Sequence, residues 1–473
     1  MSSDEERSAM KITALAAGFV MAGLDATVMQ VAGATIQERL DASLTQLTWA
    51  VDGYVLTFAA LLMLAGGLAG RIGARTVYMW GMAIFVVASL ASALAPTIES
   101  LIAARLLQGA GAALFMPSSL ALLVHAFPDP RERTKVLGLW SAVVSSSLAL
   151  GPTVGGIMVS TLGWQSIFLI NLPVGLIGME LTRRFVSRTG ASRETPLAIS
   201  GHATLIVVLA ALSFALIEGP QRGWTSATVP AAAAVTVIGT VLLLARERHA
   251  RTTVMPWTLF REPRFAGANA VGFFFNAAFY GVLFLVGLYF QHARGASPLR
   301  AGLEILPLTA FLPLSNITFA RISARFANGP LLIIFLFVAA MASLAMATIS
   351  PATPYWQVAL ALAVTGIAGG IISPAMTATM VDAAGSENGN AAGAVLNANR
   401  QVGTLVGIAV IGAVLAAAPD WTTGTATAFL AIGIAYLAAA VTAWHLIARP
   451  ERRATLAQTI PATSQPAPPL SRH

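Results

Sequence analysis

The sequence has 473 residues, of which 56% are hydrophobic and only 10% charged. A soluble domain carries about 25% charged residues, so this chain has too few to cover a water-facing surface, and most of its exterior must meet lipid. The formal charge of +8 is no nucleic-acid signature, because the basic residues sit in short loops between apolar blocks. The absence of cysteine excludes disulfides, thiolate metal sites and cysteine nucleophiles.

The start, MSSDEERSAMK, mixes acids and bases, and no small-x-small cleavage site follows at leader distance. Residues 1–10 therefore read as a cytoplasmic N-terminus ahead of a retained first helix. Apolar blocks then fall near 12–33, 47–69, 76–95, 101–126, 136–160 and 164–182, within a first bundle over 11–185. Two more, 198–218 and 226–245, lie in a linker over 186–262. A second bundle over 263–448 holds blocks near 266–290, 298–320, 330–350, 355–380, 391–418 and 424–447. The segment 449–473 ends in PATSQPAPPLSRH and reads as a disordered cytoplasmic tail. Each block is uniformly apolar over about 20 residues, as a spanning helix requires, and lacks the alternation of a β-barrel strand. The expectation is an all-α membrane protein of fourteen transmembrane helices.

An even count puts both termini on one side, and the basic residues identify it. With the termini inside, the outer loops hold only Arg39, Arg222, Arg294 and Arg300, while Arg105 and Arg400 lie within helices. Every other Lys and Arg is inner, including Arg7, Lys11, Arg71, Arg75, Arg131, Arg133, Lys135, Arg193, Arg251, Arg452, Arg453 and Arg472. This bias predicts cytoplasmic termini. The inner loop DAAGSENGN has no basic residue and departs from the pattern. A faint repeat aligns GGLAGRIGARTVY (66–78) with ARISARFANGPLL (320–332), Leu68 with Ile322 and Arg71 with Arg325. Two related halves are a common transporter plan.

Polar residues inside spans are rare and usually face a cavity or a partner. Asp25, Asp52 and Arg105 all fall in the outer half of the membrane by helix direction. A carboxylate near an arginine is the minimum device for coupling a proton to conformation; for Asp52, solvation at the outer interface is the competing reading. Glu218 with Arg222 and Glu304 with Arg300 read as interfacial i,i+4 pairs. Asn397 and Gln401 share a helix face beside Arg400, and Asn276 is four residues from Tyr280. Each set suits lining a cavity or joining helices equally well.

Nothing in the chain supports chemistry. Its two lysines, Lys11 and Lys135, lie in no phosphate-binding G-x-x-x-x-G-K-[ST] motif. The six histidines are scattered, no metal-ligand spacing occurs, and there is no G-x-S-x-G elbow. No enzyme, no metal and no cofactor is expected, and work would come from an ion gradient.

Taken together, LDATVMQVAGATI, RLLQGAG (105–111), LALGPTVGGIM and NANRQVGTLVGIA resemble the fourteen-helix drug:proton antiporters of the major facilitator superfamily. The resemblance implies that superfamily's fold, two six-helix bundles with two inserted helices. In that family G-P-x-x-G-G in the fifth helix marks exporters, and it maps to Gly151, Pro152, Gly155 and Gly156. Gly151 and Gly155 are expected to expose bare backbone to the opposing half, and Pro152 to permit a bend. The family's helix-four arginine, implicated in proton transfer, maps to Arg105, followed by Gln108, which joins the cavity candidates. Its helix-one acid maps to Asp25, and Asp52 resembles an acid in helix two of part of the group. Its gating-loop motif maps to Gly66, Leu68, Arg71, Gly73 and Arg75, but Gly70 stands where an aspartate normally latches the inner gate.

These readings converge on a proton-coupled antiporter of the cytoplasmic membrane, a monomer, exporting an amphipathic compound such as an antibiotic by alternating access. Its partners would be a small-molecule substrate, protons and the lipid bilayer. A symporter importing a small solute, or a non-transporting membrane sensor, are the alternatives. The substrate's charge is open: cavity acids favour a cation, whereas Arg105 or Arg400 would suit a carboxylic acid.

Overall fold

The computed structural model describes residues 3–127, 129–188, 198–250, 257–385 and 389–451. The tail beyond 451, residues 189–197 and 251–256 of the linker, and 386–388 of the acidic loop lie outside the described residues. So do Arg193, Arg251, Arg452, Arg453 and Arg472, and the side chains of Arg7, Arg131 and Lys135.

Long helices dominate the described residues. They are α1 (Ser3–Arg39), α2 (Leu44–Ile72), α3 (Ala74–Ala93), α4 (Ile98–Ala126) and α5 (Pro130–Leu162). The middle of the chain supplies α6 (Ser166–Phe185), α7 (Ile199–Arg222) and α8 (Thr228–His249). The remainder are α9 (Pro263–Ala293), α10 (Pro298–Ile322), α11 (Asn328–Met346), α12 (Tyr355–Ala384), α13 (Gly389–Ala417) and α14 (Trp421–Glu451). Of the fourteen, 13 are long and apolar enough to cross a membrane, and α5 contributes the shorter apolar stretch Ser146–Leu162.

Successive helices alternate in direction, so α1 begins and α14 ends at one end of the molecule, here the terminal end. Helices that start at the far end need their first amides satisfied at the membrane surface. Ser43 and Gln46 do this reciprocally for α2, with contacts of 3.2 and 2.9 Å, and Thr97 with Ser100 does it for α4. Asp420 caps α14 through the Thr422 and Thr423 amides at 2.8 and 2.9 Å. The Thr423 amide and hydroxyl, more than the Thr422 amide, hold its carboxyl below the usual carboxylate range. At the terminal end, one residue joins α2 to α3, and that residue, Gly73, has φ +92°, a conformation L side chains resist.

The packing pattern of α1–α6 recurs in α9–α14. In the first set α2 and α3 pack on α4, and α1 packs on α5 and α6; in the second, α10 and α11 pack on α12, and α9 packs on α13 and α14. The sets meet along α2 with α13 and along α5 with α10, pairs that exchange under the same correspondence. This is the three-dimensional form of the faint repeat. The extra pair sits at one seam: α7 packs against both α2 and α13, and α8 packs against α7. Trp49 of α2 donates to Glu218 of α7 at 2.9 Å, and Arg222 completes an i,i+4 pair with that acid at 2.6 Å. The outer face of α8 exposes Val237, Ile238, Val241 and Leu242, a surface fit for lipid.

Candidate functional site

A buried polar cluster lies inside the first set. Arg105, on the second turn of α4, is 1% exposed. Its Nη1 donates to Asp25 Oδ2 of α1 and to Gln108 Oε1, both at 2.6 Å, and its Nε donates to the Ala50 carbonyl of α2 at 3.0 Å. The guanidinium also lies over the Tyr54 ring, 4.5 Å from its centroid. Gln108 Nε2 in turn donates to Asp25 Oδ1 at 3.0 Å and approaches Ser89 Oγ of α3 at 2.9 Å. Asn171 of α6 reaches the same hydroxyl at 3.3 Å. Thus α1, α2, α3, α4 and α6 converge on one ion pair, whose charges would be costly to bury singly.

Asp52 is also fully buried, and neither of its oxygens has a hydrogen-bond partner. Solvation at the outer interface is therefore not its situation here. It belongs neither to the Asp25–Arg105 cluster nor to the cavity wall.

Beside the ion pair a cavity of about 480 Å³ lies between the two sets of helices. Arg105 and Tyr54 form part of its wall, and Asp25 lies behind Arg105. The first set otherwise contributes mainly apolar surface, including Phe19, Met29, Phe58 and Met116. The second contributes Asn276, Tyr280, Asn397, Arg400, Gln401 and Thr404. The polar stripe of α13 and the pair on α9 thus line space, resolving the ambiguity their spacing leaves. Gln108 does not line it: its amide is consumed in orienting Asp25 and Arg105. Sequence reasoning missed Ser89 and Asn171; a lone Asn within an apolar helix was the available signal for the second.

The cavity is closed at the far end. Gly287 of α9 abuts the Gln30 carbonyl of α1, and Gly33 packs between Leu47 and Leu288. His292 contacts Gln37 Oε1 at 3.1 Å, and the Leu299 amide of α10 donates to Ser160 Oγ of α5 at 3.1 Å. Each contact joins one set to the other, and each lies in the far half. Toward the terminal end the wall descends through Leu120, Thr377 and Gly393. There Gly66 and Gly393 have nothing within 4 Å of where a side chain would start. Arg71 is exposed, and Arg75 bonds the Arg183 carbonyl of its own set at 2.8 Å. Among the described residues, the gating-loop motif makes no bond to the other set in this conformation.

One expectation needs correction. Gly151 and Gly155 do not face the opposing half: Gly151 packs on Thr27 and Gly155 on Val28, both of α1 within the same set. The neighbours that meet the other set are Gly156, where an added Cβ would lie 2.6 Å from the Pro298 carbonyl of α10, and Pro152, whose carbonyl abuts Gly302. The helical repeat turns residues four apart to one face and the intervening ones to another. Spacing alone did not say which face met which neighbour. Pro152 lies inside the helix α5.

No group of three or more His, Asp or Glu among the described residues could hold a metal ion. What this arrangement offers is a compartment closed at one end, with a buried charge pair beside it. The family model described as Major Facilitator Superfamily matches residues 15–408. The chain belongs to the major facilitator superfamily. It is accordingly a multi-pass membrane transporter, in which α7–α8 stand apart from the two pseudo-symmetric halves as an additional pair.

Among its superfamily relatives is a methylenomycin A resistance protein of Streptomyces coelicolor, 65% identical over 95% of this chain and 94% of that protein. A protein of the same name from Bacillus subtilis is 44% identical over 92% of this chain and 93% of its own length. The tetracenomycin C resistance and export protein of Streptomyces glaucescens is 33% identical over 86% of this chain and 75% of its own.

Proposed function

We propose that this chain is a proton-coupled antiporter that exports an amphipathic antibiotic, of which methylenomycin A is the first candidate. The names of its relatives support the substrate class. The observation that carries the mechanism is a cavity sealed at one end, with the Asp25–Arg105 pair in its wall.

In this reading both termini are cytoplasmic, as the loop arginines favour, and the conformation is inward-facing. The protein works as a monomer in the cytoplasmic membrane, with no enzymatic step and no cofactor. Substrate enters from the cytoplasm and binds between α1, α2, α4, α9 and α13. The halves then rock, parting Gly287 from Gln30 and α5 from α10, while α2 and α10 close the cytoplasmic end. A proton from outside adds to Asp25, cancels its charge and weakens its bond to Arg105. The freed guanidinium keeps Ala50, Gln108 and Tyr54 as partners, so neutralising the acid alters the energy of the two states without leaving a bare cation. Asp52, buried and unpartnered, is a second proton-carrying group. Gly66, Arg71, Gly73 and Arg75 form the cytoplasmic gate; with Gly70 at the latch position, that gate lacks the usual acid.

The test is transport in proteoliposomes holding methylenomycin A on the side corresponding to the cytoplasm. An imposed proton gradient, acid on the opposite side, should drive uphill export, and Asp25→Asn should abolish it. Accumulation in the opposite direction, or wild-type export by Asp25→Asn, would refute the reading.

A further inference from the structure

The two arginines of the cavity are not equivalent. Arg105 is committed: its guanidinium is bonded to Asp25, Gln108 and Ala50 and covered by Tyr54. Arg400 of α13 lines the same cavity and a smaller adjoining one. Among the described residues its guanidinium has no ion pair and no side-chain hydrogen bond. No acidic side chain lines either space among the described residues. The ion pair within the first half is internally neutral, so the cavity carries one uncompensated positive charge. Asn276, Tyr280, Asn397 and Gln401 line the cavity on the same half as Arg400, while the wall opposite is mainly apolar apart from Gln30, Tyr54 and the paired Arg105.

We infer that the exported compound is an amphipathic anion, its acidic group held by Arg400 and its apolar body laid against α1, α2 and α4. This rests on the exporter reading and specifies its substrate. A cation placed here would meet in Arg400 an unpaired charge of the same sign, and a neutral molecule would leave the guanidinium uncompensated in a cavity of low dielectric. An anion converts the pair into a charge-assisted, fork-shaped contact. Arg400 is then the residue that sets substrate charge. A second consequence follows for energetics. An anion leaving and a proton entering move charge in the same direction, so export is electrogenic and an inside-negative potential accelerates it. One-for-one exchange of a cation for a proton would move no net charge.

The test uses three probes of one shape and permanent charge state: naphthalene-2-sulfonate, naphthalene-2-sulfonamide and 2-naphthyltrimethylammonium. Binding to the full-length protein in detergent is followed by tryptophan fluorescence, and proton flux in proteoliposomes by a pH dye. The sulfonate should bind wild type at least tenfold more tightly than the other two. Arg400→Gln should remove that preference, and Arg400→Lys should retain most of it. Sulfonate-driven proton flux should rise with an inside-negative potassium–valinomycin potential. Tighter binding of the ammonium probe, or sulfonate binding untouched by Arg400→Gln, would overturn the inference. Arg400-dependent sulfonate binding with no proton flux from any probe or from methylenomycin A would instead overturn the antiporter reading and leave the charge assignment standing.

Discussion

Gly287 of α9 lies against the main-chain carbonyl of Gln30 on α1, so close that any side-chain carbon at position 287 would overlap that oxygen. The contact joins the two halves at the far end and exists only because residue 287 has no Cβ. A larger residue here cannot be absorbed by a flexible neighbour, since the obstacle is backbone.

Gly287→Leu should therefore hold the far end open. Overpacking costs about 1–3 kcal/mol, which shifts a two-state balance roughly 5–150-fold. A cysteine placed at Gln30 of this naturally cysteine-free chain should become reactive to an impermeant thiol reagent added from the far side, and export should fall in parallel. Unchanged labelling would show that the contact is not a gate.

The glycines of α5 divide by neighbour. Gly151→Ala forces a methyl into Thr27 within one half and should lower the thermal midpoint of the purified protein. Gly156→Ala presses on the Pro298 carbonyl across the seam and should spare that midpoint while cutting export. Equal midpoint losses in both variants would remove the distinction between fold packing and moving interface.

Arg105→Ala leaves the Asp25 carboxylate buried and unpaired, and breaking a buried pair in this way costs about 3–5 kcal/mol. Removing both groups should recover part of that loss, so Asp25→Ala/Arg105→Ala should unfold at higher temperature than Arg105→Ala alone. Arg105→Lys keeps the charge but loses the fork to Ala50 and Gln108, and should fold yet transport poorly. A double variant no more stable than the single one would mean that the pair carries no coupled energy.

The bond from Trp49 to Glu218 ties α7 to α2 at the seam. Trp49→Phe removes the donor and should destabilise by about 0.5–1.5 kcal/mol, the ordinary net worth of a hydrogen bond. Arg222→Gln, which removes only a half-exposed partner, should cost less. A larger loss from Arg222→Gln in a thermal melt would reverse the assigned order.

The helices were legible in the sequence because lipid demands uniform apolarity over a fixed length. The pairs Glu218 with Arg222 and Glu304 with Arg300 were legible because i,i+4 spacing brings side chains together within one helix. Asp25 and Arg105 stood out as charges in apolar runs, but their shared dependence on Gln108, Ser89 and Asn171 did not, since four helices must pack before those atoms meet. The orientation of the α5 glycines failed for the same reason. Periodicity gives faces; only packing says what each face touches. Likewise, the sequence left Arg105 and Arg400 equally suited to an acidic substrate; only the packed helices show that Asp25 already occupies Arg105.

The central claim is that protonation of Asp25 changes which end of the molecule is open. Spin labels on cysteines introduced at Asp41 and Gly295, in far-end loops of opposite halves, report the far-end gap by pulsed electron resonance in lipid nanodiscs. The account predicts two distance populations whose ratio changes between neutral and acid pH in the labelled protein, and a ratio whose response to pH is largely lost once Asp25→Asn is added. A single distance at every pH, or an unaltered pH response in the Asp25→Asn variant, would contradict it.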